Sequence, residues 1–185
     1  MRDGGLTMTT EPGSVAAAPT PCGRFVKALY TPEQRVRRDA TRWTLVQGIL
    51  APIQFLVFVI SVVLVLRSLL TGDGVLAAHL SIIAKTILLY TIMVTGAIWE
   101  KVVFGQYLFA PVFFWEDVVS FVVIALHTIY LVGLLTGRMP TNALFLVALS
   151  AYTVYVVNAM QFLLKLRAAR LQEAHEARQL ATVSA

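Results

Sequence analysis

Glu116 and Asp117 stand side by side in the stretch FFWEDVVS, behind three aromatic rings and ahead of a long apolar run. Paired carboxyls in an apolar setting are the raw material of general acid–base chemistry. Desolvation and like-charge repulsion keep a proton on one of them while the other accepts. A plainer reading stands beside this one: acids in the first turn of a helix are favoured by the helix dipole and by interfacial water. His127 lies deeper in the same apolar run. An interhelical hydrogen bond, a proton relay and a magnesium ligand are all within the chemistry of an imidazole there. Glu100 and Lys101 follow Trp99 in IWEKVV, and Asn158 and Gln161 precede Lys165 in NAMQFLLK. No metal site is expected, because nothing has the spacing of CxxC or HExxH, and the single cysteine, Cys22, has no internal disulfide partner.

The elements that must position these groups follow from composition. The chain has 185 residues, 58% hydrophobic and 14% charged, with a mean hydropathy of +0.76. Soluble domains carry about 25% charged residues. Residues 43–69, 76–98, 116–136 and 142–164 form apolar runs separated by TGDG, a ring-rich connection and TGRMPTN. A helix needs about 20 such residues to cross the hydrocarbon core. The fold class expected is therefore an all-α integral membrane protein, a four-transmembrane-helix bundle over residues 43–171.

Residues 1–23 are rich in Gly, Pro, Thr and Ala and read as a disordered tail, with Met8 an alternative start. Residues 24–42 read as a cationic interfacial segment. In it Thr31, Pro32 and Gln34 form a helix-start signature, and the helix either lies on the membrane surface or runs straight into the first span. Residues 172–185 are a charged C-terminal tail, and Pro52 is a candidate kink in the first span.

The net charge of +5 belongs to topology rather than to nucleic acid. Arg35, Arg37, Arg38 and Arg42 precede the first span and Lys165, Arg167 and Arg170 follow the fourth, whereas the two opposite turns carry only Arg67 and Arg138. By the positive-inside rule both termini face the cytoplasm. Trp43, Gln47, Trp99, Glu100, Lys101, Trp115, Glu116, Asp117, Asn158, Gln161 and Lys165 then gather at the cytoplasmic ends. The far ends hold little beyond Arg67, Asp73, His79 and Arg138.

Periodicity sharpens the picture. Gln47, Gln54 and Ser61 recur every seven residues, and Glu116, Ser120, Val123 and His127 share one helix face. Lys85 inside the second span either snorkels outward or faces the interior. The tryptophans serve as belt anchors or as ligand contacts. The connection EKVVFGQYLFAPVFFWED carries six aromatics and reads as a flat lid suited to a large planar apolar ligand.

LYTPEQRVRRDATRWTLVQGILAPIQFLVF, GAIWEKVVFGQYLFAPVFFWEDVVS, ALHTIYLVGLLTG and NAMQFLLKLRAARL together resemble the 3-vinyl bacteriochlorophyllide hydratase family of phototrophic bacteria, over roughly residues 29–171. The resemblance implies a multi-pass protein of the bacterial inner membrane. It also implies addition of water to the C3-vinyl group of chlorophyllide a or 3-vinyl bacteriochlorophyllide a, giving the 1-hydroxyethyl derivative without any cofactor. The implied partners are the pigment, water and lipid, with self-association or contact with other pigment-biosynthesis enzymes compatible with it. For that chemistry Glu116 is the expected acid, Asp117 or Glu100 the group that orients water, and His127 a relay or magnesium ligand. Trp99, Lys101, Trp115, Gln47, Asn158 and Gln161 are expected substrate contacts, with Lys101, Arg42 or Lys165 meeting the propionate. The competing readings are a non-catalytic pigment carrier, for which paired acids are unnecessary, and a small transporter relaying protons through Lys85 and His127.

Overall fold

The computed structural model describes residues 29–183, so the expected tail over 1–23, the start of the cationic segment, Met8 and Cys22 lie outside the described residues. Five helices follow in order: α1 (Pro32–Ala40), α2 (Arg42–Thr71), α3 (Val75–Phe104), α4 (Phe114–Thr136) and α5 (Thr141–Val183). Four of them, α2 to α5, are long and apolar enough to cross a membrane. At 1.5 Å per residue the 43-residue α5 is about 65 Å long, well beyond the roughly 30 Å hydrocarbon core. Its last turns carry the charged sequence and leave the apolar zone.

Helix α1 starts where its sequence says it should. The Thr31 side chain accepts from the Gln34 backbone N–H at 3.3 Å, and the Gln34 carboxamide accepts from the Thr31 N–H at 2.9 Å. Pro32 occupies the first turn, where no backbone N–H is needed. Of the two expectations for this segment, continuity with the first span is not what is found. Thr41 is extended (φ −84°, ψ 136°) and ends α1, while its side chain caps α2 by accepting from the Trp43 N–H. Helix α1 instead lies across the end of the bundle. Arg35 pairs with Glu176 at 2.7 Å and Arg38 with Glu173 at 2.8 Å, fastening α1 to the projecting part of α5.

The long helices pack as two antiparallel hairpins, α2 on α3 and α4 on α5, with lesser contacts between α2 and α5 and between α3 and α4. Helix α2 continues without a break through Pro52. Where the hairpins meet, Val65, Ile82, Tyr130, Phe145 and Tyr152 form a core near the short turns. A second core of Tyr30, Val103, Phe113 and Ala169 closes the opposite end under α1, with Trp99 and Phe162 packed against it. Large apolar side chains such as Leu56, Val63, Ile87, Val132 and Leu163 point outward, as lipid-facing positions must.

The capping box makes a local prediction. Thr31→Ala removes one of its two hydrogen bonds and costs α1 about 1 kcal/mol. Amide exchange over Arg35–Arg38 should accelerate roughly fivefold, while that of α2 to α5 stays unchanged. Equal acceleration throughout would show that α1 is not a separate cooperative unit.

Candidate active site

Helix α3 ends at Gly105, whose φ of 87° is left-handed and lets the chain turn away sharply. The connection from Gly105 to Phe113 then folds back over the start of α4. Two buried carboxyls hold it there. Asp117 accepts the Phe109 N–H at 2.6 Å, and Glu100 accepts the Ala110 N–H at 3.2 Å. Phe109 itself adopts φ 59°, a left-handed conformation rare for a residue with a bulky side chain. The two side chains also face each other, close enough for the carboxyls of Glu100 and Asp117 to interact directly. Two carboxyls can hydrogen-bond to each other only with a proton between them, since a bare carboxylate has only acceptors.

Glu116, next in sequence to Asp117, is buried too but has a different partner. The Lys165 ammonium donates to Glu116 Oε2 at 2.6 Å and also to the Val112 carbonyl. Lys165 thereby ties α5 to both α4 and the connection, and its Nζ lies 5.0 Å from the centre of the Phe113 ring. The site thus holds three carboxyls from two helices. One is matched by an ammonium, and the other two face each other and accept from two backbone N–H donors.

The aromatic residues divide into two groups rather than forming one flat lid. Phe113 packs with Trp99, Phe104 and Phe162 inside the bundle. Phe109 stacks on Phe121 with centroids 5.5 Å apart and planes at 11°, and leans on Phe114. These last three rings and Trp115, which is 68% exposed, line an outward surface directly beside the carboxyl pair.

Other expected contacts are spread more widely. Trp99 is half-buried and donates its indole N–H to Thr44 at 2.9 Å, and Gln47 donates to Thr95 at 2.7 Å. Lys101 is exposed and donates to the Gly105 carbonyl, capping its own helix. Asn158 donates to Ser120 at 2.7 Å, and Gln161 lies one turn further along α5. His127 is ten residues beyond Asp117 in α4, about 15 Å deeper. It is buried, with Nδ1 bonded to the Val123 carbonyl.

Lys85 does not snorkel. It is fully buried, and its ammonium sits 3.6 Å from the centre of the Tyr155 ring, a cation–π contact that α5 supplies. The far half of the bundle is also more polar than composition suggests. Tyr152 bonds to Ser61 at 2.6 Å and Ser61 to Ser81 at 2.7 Å, while Tyr130 bonds to His79 at 2.6 Å. These tyrosines were hidden among apolar residues, and only their helical spacing with Asn158 and His127 gives them away. Among the described residues, no three His, Cys, Asp or Glu groups converge as metal ligands would.

The Glu116–Lys165 pair has a measurable signature. Lys165→Met strands a buried carboxylate and should lower stability by about 3–5 kcal/mol, read as thermal melting in detergent. Adding Glu116→Gln should restore much of the loss, because the uncompensated charge goes with it. Additive losses would mean that the two side chains are not coupled.

Comparison with known proteins meets this geometry at its centre. A family model described as 2-vinyl bacteriochlorophyllide hydratase (BCHF) matches residues 30–168, a stretch that contains all three carboxyls and Lys165. A 2-vinyl bacteriochlorophyllide hydratase of Rhodobacter capsulatus is 70% identical over 150 residues, covering 81% of this chain and 87% of that protein. One of Cereibacter sphaeroides is 71% identical over 145 residues, covering 78% and 90%. No solved structure matches the chain. With both the family match and this identity extending across the four spans and the connection between them, the chain belongs to the 2-vinyl bacteriochlorophyllide hydratase family.

Proposed function

We propose that this protein adds water to the vinyl group of a bacteriochlorophyllide or chlorophyllide, and that Glu100 and Asp117 are the pair that moves the proton. One observation carries the residue assignment: two buried carboxyls from different helices face each other at the edge of an exposed aromatic surface, where one proton held between them relieves their repulsion. The surface of Phe109, Phe114, Phe121 and Trp115 suits a flat, apolar macrocycle arriving from the lipid. A pigment lying there brings a peripheral vinyl group towards the carboxyls beneath the connection.

The reaction then needs few parts. The shared proton passes from a carboxyl to the terminal vinyl carbon, forming a C–H bond from the π electrons. Positive charge develops on the inner carbon and is delocalised into the conjugated ring. Water attacks that carbon, forming the C–O bond, and loses a proton to the carboxylate, which restores the pair. One water is added, nothing is oxidised, and the enzyme ends as it began. The negative pair also stabilises the cation electrostatically.

This moves the acid from Glu116, the residue expected from sequence, to its neighbours. Glu116 is engaged by the Lys165 ammonium at 2.6 Å rather than by another carboxyl. Its role here is to hold Lys165, which is placed to meet the pigment propionate or to keep the connection closed. Both termini are taken to face the cytoplasm of a phototrophic bacterium's inner membrane. The support is the arginines of α1 and of the projecting part of α5 set against the single arginines, Arg67 and Arg138, at the other ends. That puts the carboxyl site at the cytoplasmic edge of the bilayer.

The test is cofactor-free incubation of purified protein with chlorophyllide a, and separately with the bacteriochlorin, in oxygen-18 water. A product heavier by one labelled water is expected. Asp117→Asn and Glu100→Gln should each lower turnover by at least about a hundredfold, whereas Glu116→Gln should lose less. Folded protein that binds pigment but never converts it would favour the carrier instead. Full activity in both Asp117→Asn and Glu100→Gln would remove the pair from the mechanism.

A further inference from the structure

Inside the bundle, beyond the carboxyl site, a row of buried polar atoms has no partner. Lys85 Nζ, His127 Nε2, Asn158 Oδ1 and Gln161 Oε1 are four of the six such atoms among the described residues. Their residues converge from three helices. Asn158 lies three residues from both Tyr155 and Gln161, which flank it about 60° to either side around α5. The Lys85 ammonium reaches α5 from α3 at Tyr155, and His127 reaches it from α4 beside Tyr152, with ring centres 5.9 Å apart. From Gln161 to Tyr152 these residues span about 14 Å along α5 while turning about half-way round it.

The row has two unlike ends. At one end Gln161 lies one turn from Lys165, the partner of Glu116. At its far end Tyr152 is bonded to Ser61, against the apolar core of Val65, Ile82 and Phe145.

The chemistry of the four atoms narrows what fits between them. Lys85 offers only donors. His127 bonds through Nδ1 to a carbonyl, which only accepts, so in the neutral ring Nε2 is a bare acceptor. Asn158 has its NH2 group on Ser120, leaving an acceptor oxygen. A cation would meet the lysine and an anion would meet two carbonyl oxygens and a lone pair. A small molecule that both donates and accepts satisfies all of them, and buried water does this routinely.

We infer that α3, α4 and α5 enclose a blind file of ordered water, held by Lys85, His127, Asn158 and Gln161 and opening at the carboxyl pair. Its function is to feed the hydration reaction from within while the pigment covers the site from outside. The presence of the water stands on the four unpartnered atoms; the delivery role rests also on the proposed hydration.

X-ray hydroxyl-radical labelling of the wild-type protein in nanodiscs, read by mass spectrometry, tests the water directly. Labelling rates are normalised to the denatured chain. Tyr155 and His127 should react about tenfold faster than Phe145, which is as buried as His127 but belongs to the apolar core. Rates as low as that of Phe145 would overturn the file. The double variant Lys85→Leu, Asn158→Leu, checked for helicity and melting, tests delivery. Tyr155 labelling should fall to the Phe145 level, and kcat should fall about tenfold with pigment KM unchanged. Lost labelling with an unchanged kcat would overturn the delivery role alone. Should the Glu100 and Asp117 variants hydrate normally while labelling persists, the acid assignment fails and the water file remains.

Discussion

Three carboxyl groups lie out of water at one end of a membrane bundle, and the local architecture is organised around making that tolerable. A buried carboxylate is costly unless donors reach it. Here the donors come from two places: two backbone N–H groups of the connection and the Lys165 ammonium. Each solution fixes something else. The backbone donors fix the path of the chain between α3 and α4, and Lys165 fixes α5 against α4 and the connection. The electrostatic problem and the tertiary structure are solved by the same contacts.

Much of this frame is legible in the sequence, and the reasons are physical. Apolar runs long enough to cross a bilayer leave only helices as a way to satisfy the backbone, so the four spans follow from composition. Thr31, Pro32 and Gln34 spell a helix start that is found atom for atom. The stripe from Glu116 to His127 on α4 is buried along its length, as its spacing requires. What stays hidden is pairing. Nothing in FFWEDVVS distinguishes Glu116 from Asp117, because the choice depends on Lys165 and Glu100, distant in the chain. Phe109 and Ala110 look like lid residues, yet their contribution is through main-chain donors that no side-chain pattern reveals. Tyr130 and Tyr152 place their hydroxyls in interhelical hydrogen bonds whose partners no side-chain pattern in the spans marks out. Lys85 was ambiguous for a related reason: only the ring of Tyr155 on another helix explains why it turns inward.

The two ends of the bundle are built to different rules. Near the short turns, apolar packing of Val65, Ile82 and Phe145 is combined with paired hydroxyls, and Ser68 Oγ is the one buried side-chain polar atom there without a partner among the described residues. Towards the connection, matched and unmatched polar groups alternate along α4 and α5, and the rings split between an interior cluster and an outward face. Such a gradient is what a bundle needs if one end serves as scaffold and the other admits a large hydrophobic guest. Helix α1, clamped by two ion pairs, lies over the second core without covering the exposed aromatic surface.

Phe109 concentrates these demands in a single residue. Its left-handed backbone costs about 1–2 kcal/mol relative to an ordinary conformation. The same geometry aims two successive N–H groups at the carboxyls, while the ring faces outward to Phe121. Glycine relieves the backbone but removes the ring. A β-branched residue keeps some bulk but suffers more from the backbone. The position therefore has few acceptable neighbours in sequence space, and its variation across a set of relatives reports on the path of the connection more sensitively than the variation of the carboxyls it serves.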